Sequence, residues 1–139
     1  MKARQVSPMA DKSVVKDGLK YTIDHEWVKE EGSNVRIGIT DHAQLEMTEI
    51  VFVELPKVGK RYQRGEVIGQ VESVKTVASI YTPVGGEVVE ANQELENMTQ
   101  FINESPYEKG WIAVIRVDDP SSLVGLMDAA AYRKVLNGG

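Results

Sequence analysis

Few side chains in this sequence can carry covalent or acid–base chemistry. Among 139 residues there is no cysteine, which removes a thiolate nucleophile, a disulfide framework and any Cys-ligated zinc or iron–sulfur centre. The two histidines, His25 and His42, have no evident third partner for a metal and are expected to serve structure or surface. Lys75 is different. It is the only basic residue between Arg64 and Lys109, and it sits between two apolar runs, Glu66–Glu72 and Thr76–Thr82. Such runs read as strands, so Ser73-Val74-Lys75 is the tip of a hairpin, exposed and stiffly mounted. A lysine there is an ammonium at neutral pH and a poor nucleophile until it is desolvated or acylated by an enzyme. On the residues alone the plainer reading, a solvated turn lysine, takes precedence.

The elements that must hold this tip are mostly short strands. Trp27–Glu30 and Asn34–Ile39 flank Glu31-Gly32-Ser33 as a hairpin. Asp41 with Gln44 three residues on predicts the start of a short helix, capped by Asp41 and ending near Met47. Strands follow at Glu49–Leu55, Glu66–Glu72, Thr76–Thr82, Glu87–Ala91 and Trp111–Val117. The polar stretch from Asn92 to Ser105 has room for one helical turn. Asp119-Pro120-Ser121 opens a helix, and Asp128 caps another over Ala129–Leu136. Many short strands with frequent turn signals predict a small barrel or sandwich. Trp27 and Trp111 read as core residues of it. A short echo, Glu49-Ile50-Val51 with Val53 against Glu87-Val88-Val89 with Ala91, fits two similar halves. Residues 1–18 have no periodicity and read as a flexible tail, leaving residues 19–139 as one domain.

Charge narrows the function classes. The net charge is −5, against the basic balance of a nucleic-acid binder. Residues 1–20 carry +3, so the remainder carries −8, and Thr76 to Glu108 holds six Glu with no Lys or Arg. That segment reads either as a docking face for a basic partner or as a solvating face. No apolar run approaches membrane-spanning length and no secretory pattern opens the chain, so neither a membrane nor a nucleic acid is expected as partner and the expected setting is cytoplasmic.

The stretch Glu72-Ser73-Val74-Lys75, followed by Tyr81-Thr82-Pro83-Val84-Gly85-Gly86-Glu87-Val88-Val89-Glu90, resembles the lipoylation hairpin of the glycine cleavage system H-protein family. His25-Glu26-Trp27-Val28, Gly38–Gln44, Ile50–Pro56 and Ser105-Pro106-Tyr107 with Gly110-Trp111 follow the family in order. The resemblance runs from about Gly18 to Leu136. It implies a mainly β, lipoyl-domain hammerhead, a flattened barrel or sandwich with short peripheral and C-terminal helices. It makes Lys75 the acceptor of lipoic acid in amide linkage, with Glu72, Ser73, Val74 and Thr76 as its immediate setting. A biotin acceptor would usually flank its lysine with Met, so Val74 and Thr76 disfavour biotin.

The function implied is that of a carrier without catalysis of its own, passing an aminomethyl group among a decarboxylase, an aminomethyltransferase and dihydrolipoyl dehydrogenase. A lipoate ligase or lipoyl transferase would load it. Tethering keeps such a cargo at high effective concentration wherever the carrier docks. Glu26 falls where the family places a glutamate that holds the cationic cargo; its alternative reading is a solvated strand-edge carboxylate. Two departures stand out. Ser79 replaces an Asp common in the family, and Thr48 and Glu49 stand where a Gly and an acid usually precede the next strand. Losing a carboxylate weakens the hold on a cation. This leaves open a lipoate-binding carrier of sulfur intermediates working with a heterodisulfide-reductase-like complex, a lipoate relay to other proteins, and an unmodified interaction scaffold.

Overall fold

The computed structural model describes residues 11–138. Among the described residues, nine strands form two antiparallel sheets. The chain order is β1 (Lys20–Tyr21), β2 (Glu26–Glu31), β3 (Asn34–Ile39), helix α1 (Asp41–Met47), β4 (Ile50–Glu54), β5 (Arg61–Tyr62), β6 (Val67–Ser73), β7 (Val77–Tyr81) and β8 (Gly86–Ala91). A 3-10 turn (Gln93–Glu96), α2 (Gln100–Glu104), β9 (Ala113–Val117), a second 3-10 turn (Pro120–Gly125) and α3 (Ala129–Leu136) complete it. One sheet has the order β1-β2-β3-β9-β8-β5, the other β4-β6-β7. The architecture is a flattened sandwich rather than a closed barrel. The expected strands are present, Asn34–Ile39 with the expected bounds and the others with ends within two residues of them, while the two-residue β1 and β5 are too short to leave a sequence pattern.

The alternation expected of half-buried strands builds the core. Val28, Val35, Ile37, Val88 and Ile115 of the larger sheet meet Val53, Ile68, Val71 and Ile80 of the smaller one, all buried. A second cluster under α3 joins Leu19, Tyr21, Trp27, Ala129 and Tyr132. There the Tyr21 and Tyr132 rings stack at 4.5 Å. Trp27 is fully buried, donates to the Pro106 carbonyl at 2.9 Å, and lies against Gly38, where an added Cβ would meet its ring at 2.6 Å. Trp111 packs against the edge of this second cluster rather than inside it. It is half-buried outside β9, with the Arg36 guanidinium 4.4 Å above its ring, a cation–π contact that accommodates a partly wet indole.

The sequence echo has a structural counterpart. Glu49–Val53 and Glu87–Ala91 fall in different sheets, and each carries a β-bulge at its matching valine. Ile50 and Phe52 oppose Ser73 and Glu72, leaving Val51 over; Val88 and Glu90 oppose Ile115 and Val114, leaving Val89 over.

Two local expectations are corrected. The cap of α1 is Thr40, not Asp41: Thr40 is extended (φ −76, ψ 167) and its Oγ1 accepts from Ala43 N, so Asp41 is already helical. The Asn92–Ser105 stretch forms two short helical pieces rather than one turn. The caps at Asp119 and Asp128 are as expected, accepting from Ser121 N and Ala131 N. Of the segment read as a tail, residues 1–10 lie outside the described residues. Asp11–Gly18 has no regular structure yet is tied down: Val14 N donates to Asp41, Tyr107 Oη donates to the Val14 carbonyl, and Arg133 donates to the Val15 carbonyl.

Candidate functional site

The β6–β7 hairpin closes through Val74 and Lys75. Two-residue hairpin loops ordinarily rely on left-handed backbone and so on Gly or Asn, and neither Val74 nor Lys75 takes a positive φ. The turn is held by side-chain and neighbouring-strand bonds instead. Ser73, buried, accepts at its Oγ from Lys75 N (3.2 Å) and Thr76 N (3.1 Å), while Ser73 N donates to the Thr76 carbonyl at 2.8 Å. Val74 N donates to the Glu49 carbonyl at 3.1 Å, pinning the tip to the chain just before β4. Asn103 of α2 fixes that chain in turn, accepting from Ile50 N and donating to the Thr48 carbonyl and to Gln44. Lys75 itself is exposed.

Beside the tip lies a cleft of about 400 Å³ between β7, α1 and the β1–β2 connection. Lys75, Thr76 and Ser79 line one side; Asp24, His25, Glu26 and Glu46 line the rest, over a floor of Ile39, Ala43, Met47 and Ile80. The structure thus brings Lys75, Thr76, Ser79 and Glu26 into one wall system. Glu72 and Val74 are exposed but do not line the cleft, and Ser73 acts as the turn's clamp. Asp24 and Glu46 escape sequence reading. Asp24 precedes the His25-Glu26 block, and Glu46 shares a face of α1 with Ala43, a spacing that fixes their direction only once the helix is placed.

Glu26 is not a solvated strand-edge carboxylate. It is 2% exposed, accepting from Thr22 Oγ1 at 3.0 Å and from Tyr81 N at 2.9 Å. It therefore ties β2 of one sheet to the end of β7 in the other. Burial pushes its pKa up to about 7, against the lowering effect of those two hydrogen bonds. His25 is held at φ 66, with Nδ1 2.8 Å from the Tyr132 hydroxyl and its ring 4.5 Å from that of His42. Burial, then the neighbouring His42, holds its pKa below the usual imidazole value. His42 pairs with Asp11 and Glu46. Both histidines are committed to this packing.

An exposed lysine on a braced turn, above an apolar-floored cleft rimmed by carboxylates, suits a covalently tethered arm better than a reaction centre. The glycine cleavage H-protein family model matches residues 19–138. A glycine cleavage system H protein of Halalkalibacterium halodurans is 53% identical over 119 residues, covering 86% of this chain and 93% of that one. One of Geobacillus kaustophilus is 50% identical over 121 residues, covering 87% and 95%. The crystal structure of a glycine cleavage system H protein from Mycobacterium marinum superposes with a TM-score of 0.79 at 33% identity, covering 90% of this chain and all of that one. With family model, relatives and sandwich in accord over nearly its whole length, the chain belongs to the glycine cleavage H-protein family.

Proposed function

We propose that Lys75 is the lipoylation site and that the protein is the lipoyl carrier of a glycine cleavage system, moving an aminomethyl cargo among the decarboxylase, the aminomethyltransferase and dihydrolipoyl dehydrogenase. Members of the family are non-catalytic carriers with lipoic acid covalently attached to a lysine. When bound, that group supplies the sulfur chemistry that holds the cargo. The observation that carries the assignment is the braced hairpin tip: Lys75 is exposed, and Ser73 and Glu49 fix the backbone on either side of it.

The residues present fit the group. The cleft beside Lys75 offers Ile39, Ala43, Met47 and Ile80 to an apolar arm. Once Lys75 is amidated its charge is gone, and the carboxylates of Asp24 and Glu46 remain on the cleft wall, beside the buried Glu26. That balance favours a cationic cargo. It also answers the Ser79 departure, since Asp24 and Glu46 supply carboxylates from the facing elements. The sulfur-carrier and unmodified-scaffold readings draw no support from the relatives.

The test combines modification and loading. Intact mass after treatment with a lipoate ligase is expected to rise by one lipoyl group in the wild type and not in Lys75→Arg. Supplying the glycine-cleavage decarboxylase and labelled glycine is then expected to put label on the modified wild type alone. Label absent from fully modified protein, beside a positive control, would overturn the pathway while leaving the carrier intact.

A further inference from the structure

The bulge in β4 turns Val51 and Phe52 outward together, where regular alternation would bury one of them; they are 46% and 53% exposed. Phe52 stands opposite Glu72, which stands opposite Val77, so these three form one cross-strand row on the outer face of the smaller sheet, at its Lys75 end. Val77 is 55% exposed and Val74, in the turn, 65%. Four apolar side chains therefore surround the hairpin tip in water, on a backbone anchored by Ser73 and Glu49. This placement adds nothing to the core, and an exposed apolar patch on a rigid support marks an interaction surface.

We propose that the Val51–Phe52–Val74–Val77 patch is the docking face for the enzyme that acylates Lys75, an inference that rests on the lipoylation reading above. Reach selects this partner over the enzymes of the cycle. Lysine Nζ lies at most about 6 Å from its own Cα, given ordinary bond lengths. An enzyme forming a bond at Nζ must therefore bring its surface onto the flanks of the hairpin, whereas enzymes that meet the far end of the arm need not. In the acylation, Nζ joins the acyl carbon of an activated lipoyl ester as that carbon's bond to its leaving group breaks. The leaving group takes the electron pair, the ammonium gives up two protons, and no oxidant or reductant is consumed. Charge defines the partner further. Glu49, Glu54 and Glu72 are exposed around the patch, and Lys75 is the only basic residue in segments 49–56 and 66–76. The matching surface is an apolar centre with a basic rim.

Initial-rate lipoylation of the full apo chain by a purified lipoate ligase tests this. Phe52→Thr and Val77→Asp are expected to lower kcat/KM by about tenfold or more, chiefly through KM, as loss of an interface anchor does. Val124→Asp, at another exposed apolar site, is expected to match the wild type. At long times Phe52→Thr is still expected to reach full modification, because Lys75 is intact. Wild-type kcat/KM in both patch variants, with unchanged thermal midpoints, would overturn the docking face, as would an equal loss in Val124→Asp. A wild type that accepts no lipoyl group at all would instead overturn the lipoylation reading, and this inference with it.

Discussion

At the scale of single residues, Glu26 is the side chain whose chemistry changes most between sequence and structure. The family position points to a cargo contact; the fold shows a buried carboxylate joining the two sheets through Thr22 and Tyr81. Its folded pKa of about 7 lies above the ordinary 4.5, so between those values the folded state holds a proton that the unfolded state has lost. The stability contributed by that proton is therefore fully present below pH 4.5 and is lost as pH rises through about 7. The difference is on the order of 3 kcal/mol. In Glu26→Gln, which keeps the shape, this decline should vanish: denaturant midpoints across that window should run flatter than the wild type's. A variant that kept the wild-type slope would place the titration elsewhere.

At the scale of elements, the turn before β4 carries a conformational cost. Thr48 ends α1 at φ 67 and ψ −146, a region that glycine occupies freely and a β-branched residue strains to reach. It stands where the family usually has Gly, so the sequence departure and the strained backbone coincide. Thr48→Gly is expected to stabilise the protein by about 1 kcal/mol, net of glycine's greater unfolded-state freedom, in chemical denaturation. The lysine hairpin is the opposite case, since its unusual turn is fully braced. Removing the Ser73 hydroxyl in Ser73→Ala leaves Lys75 N and Thr76 N without that acceptor and is expected to cost about 1 kcal/mol. Faster amide exchange at positions 75 and 76 than in the wild type would show the loss locally. Protection unchanged at both would mean that the Glu49 anchor suffices alone.

At the scale of the whole molecule, one sandwich holds an exposed lysine above a carboxylate-rimmed cleft and turns an acidic surface outward. Glu87 and Glu108 of the acidic stretch are paired with Arg116 and Lys16, while Glu90, Glu94, Glu96 and Glu104 are exposed. Exposed charge of one sign acts over roughly a Debye length, about 8–10 Å at moderate salt. Cargo transfer to the partner enzymes should therefore slow as ionic strength rises, and salt-insensitive transfer would reduce this face to solvation. Much of the fold was legible because its signals are local: alternation marked β2, β3, β6 and β7, and Asp128 announced α3. The hairpin tip was legible for the same reason, since Lys75 interrupts two apolar runs. What stayed hidden depends on distant partners. The burial of Glu26 needs Tyr81 to arrive from the other sheet, the cleft needs α1 to carry Glu46 towards Asp24, and the outward Phe52 needs a register shift that only pairing with β6 creates.

The point of lipoyl attachment is the most direct thing to measure. Peptide mapping by mass spectrometry of the ligase-treated full chain measures this directly. The prediction is a single lipoylated peptide, modified at Lys75, with the other lysines unchanged. Modification at any other lysine while Lys75 remains free would contradict it.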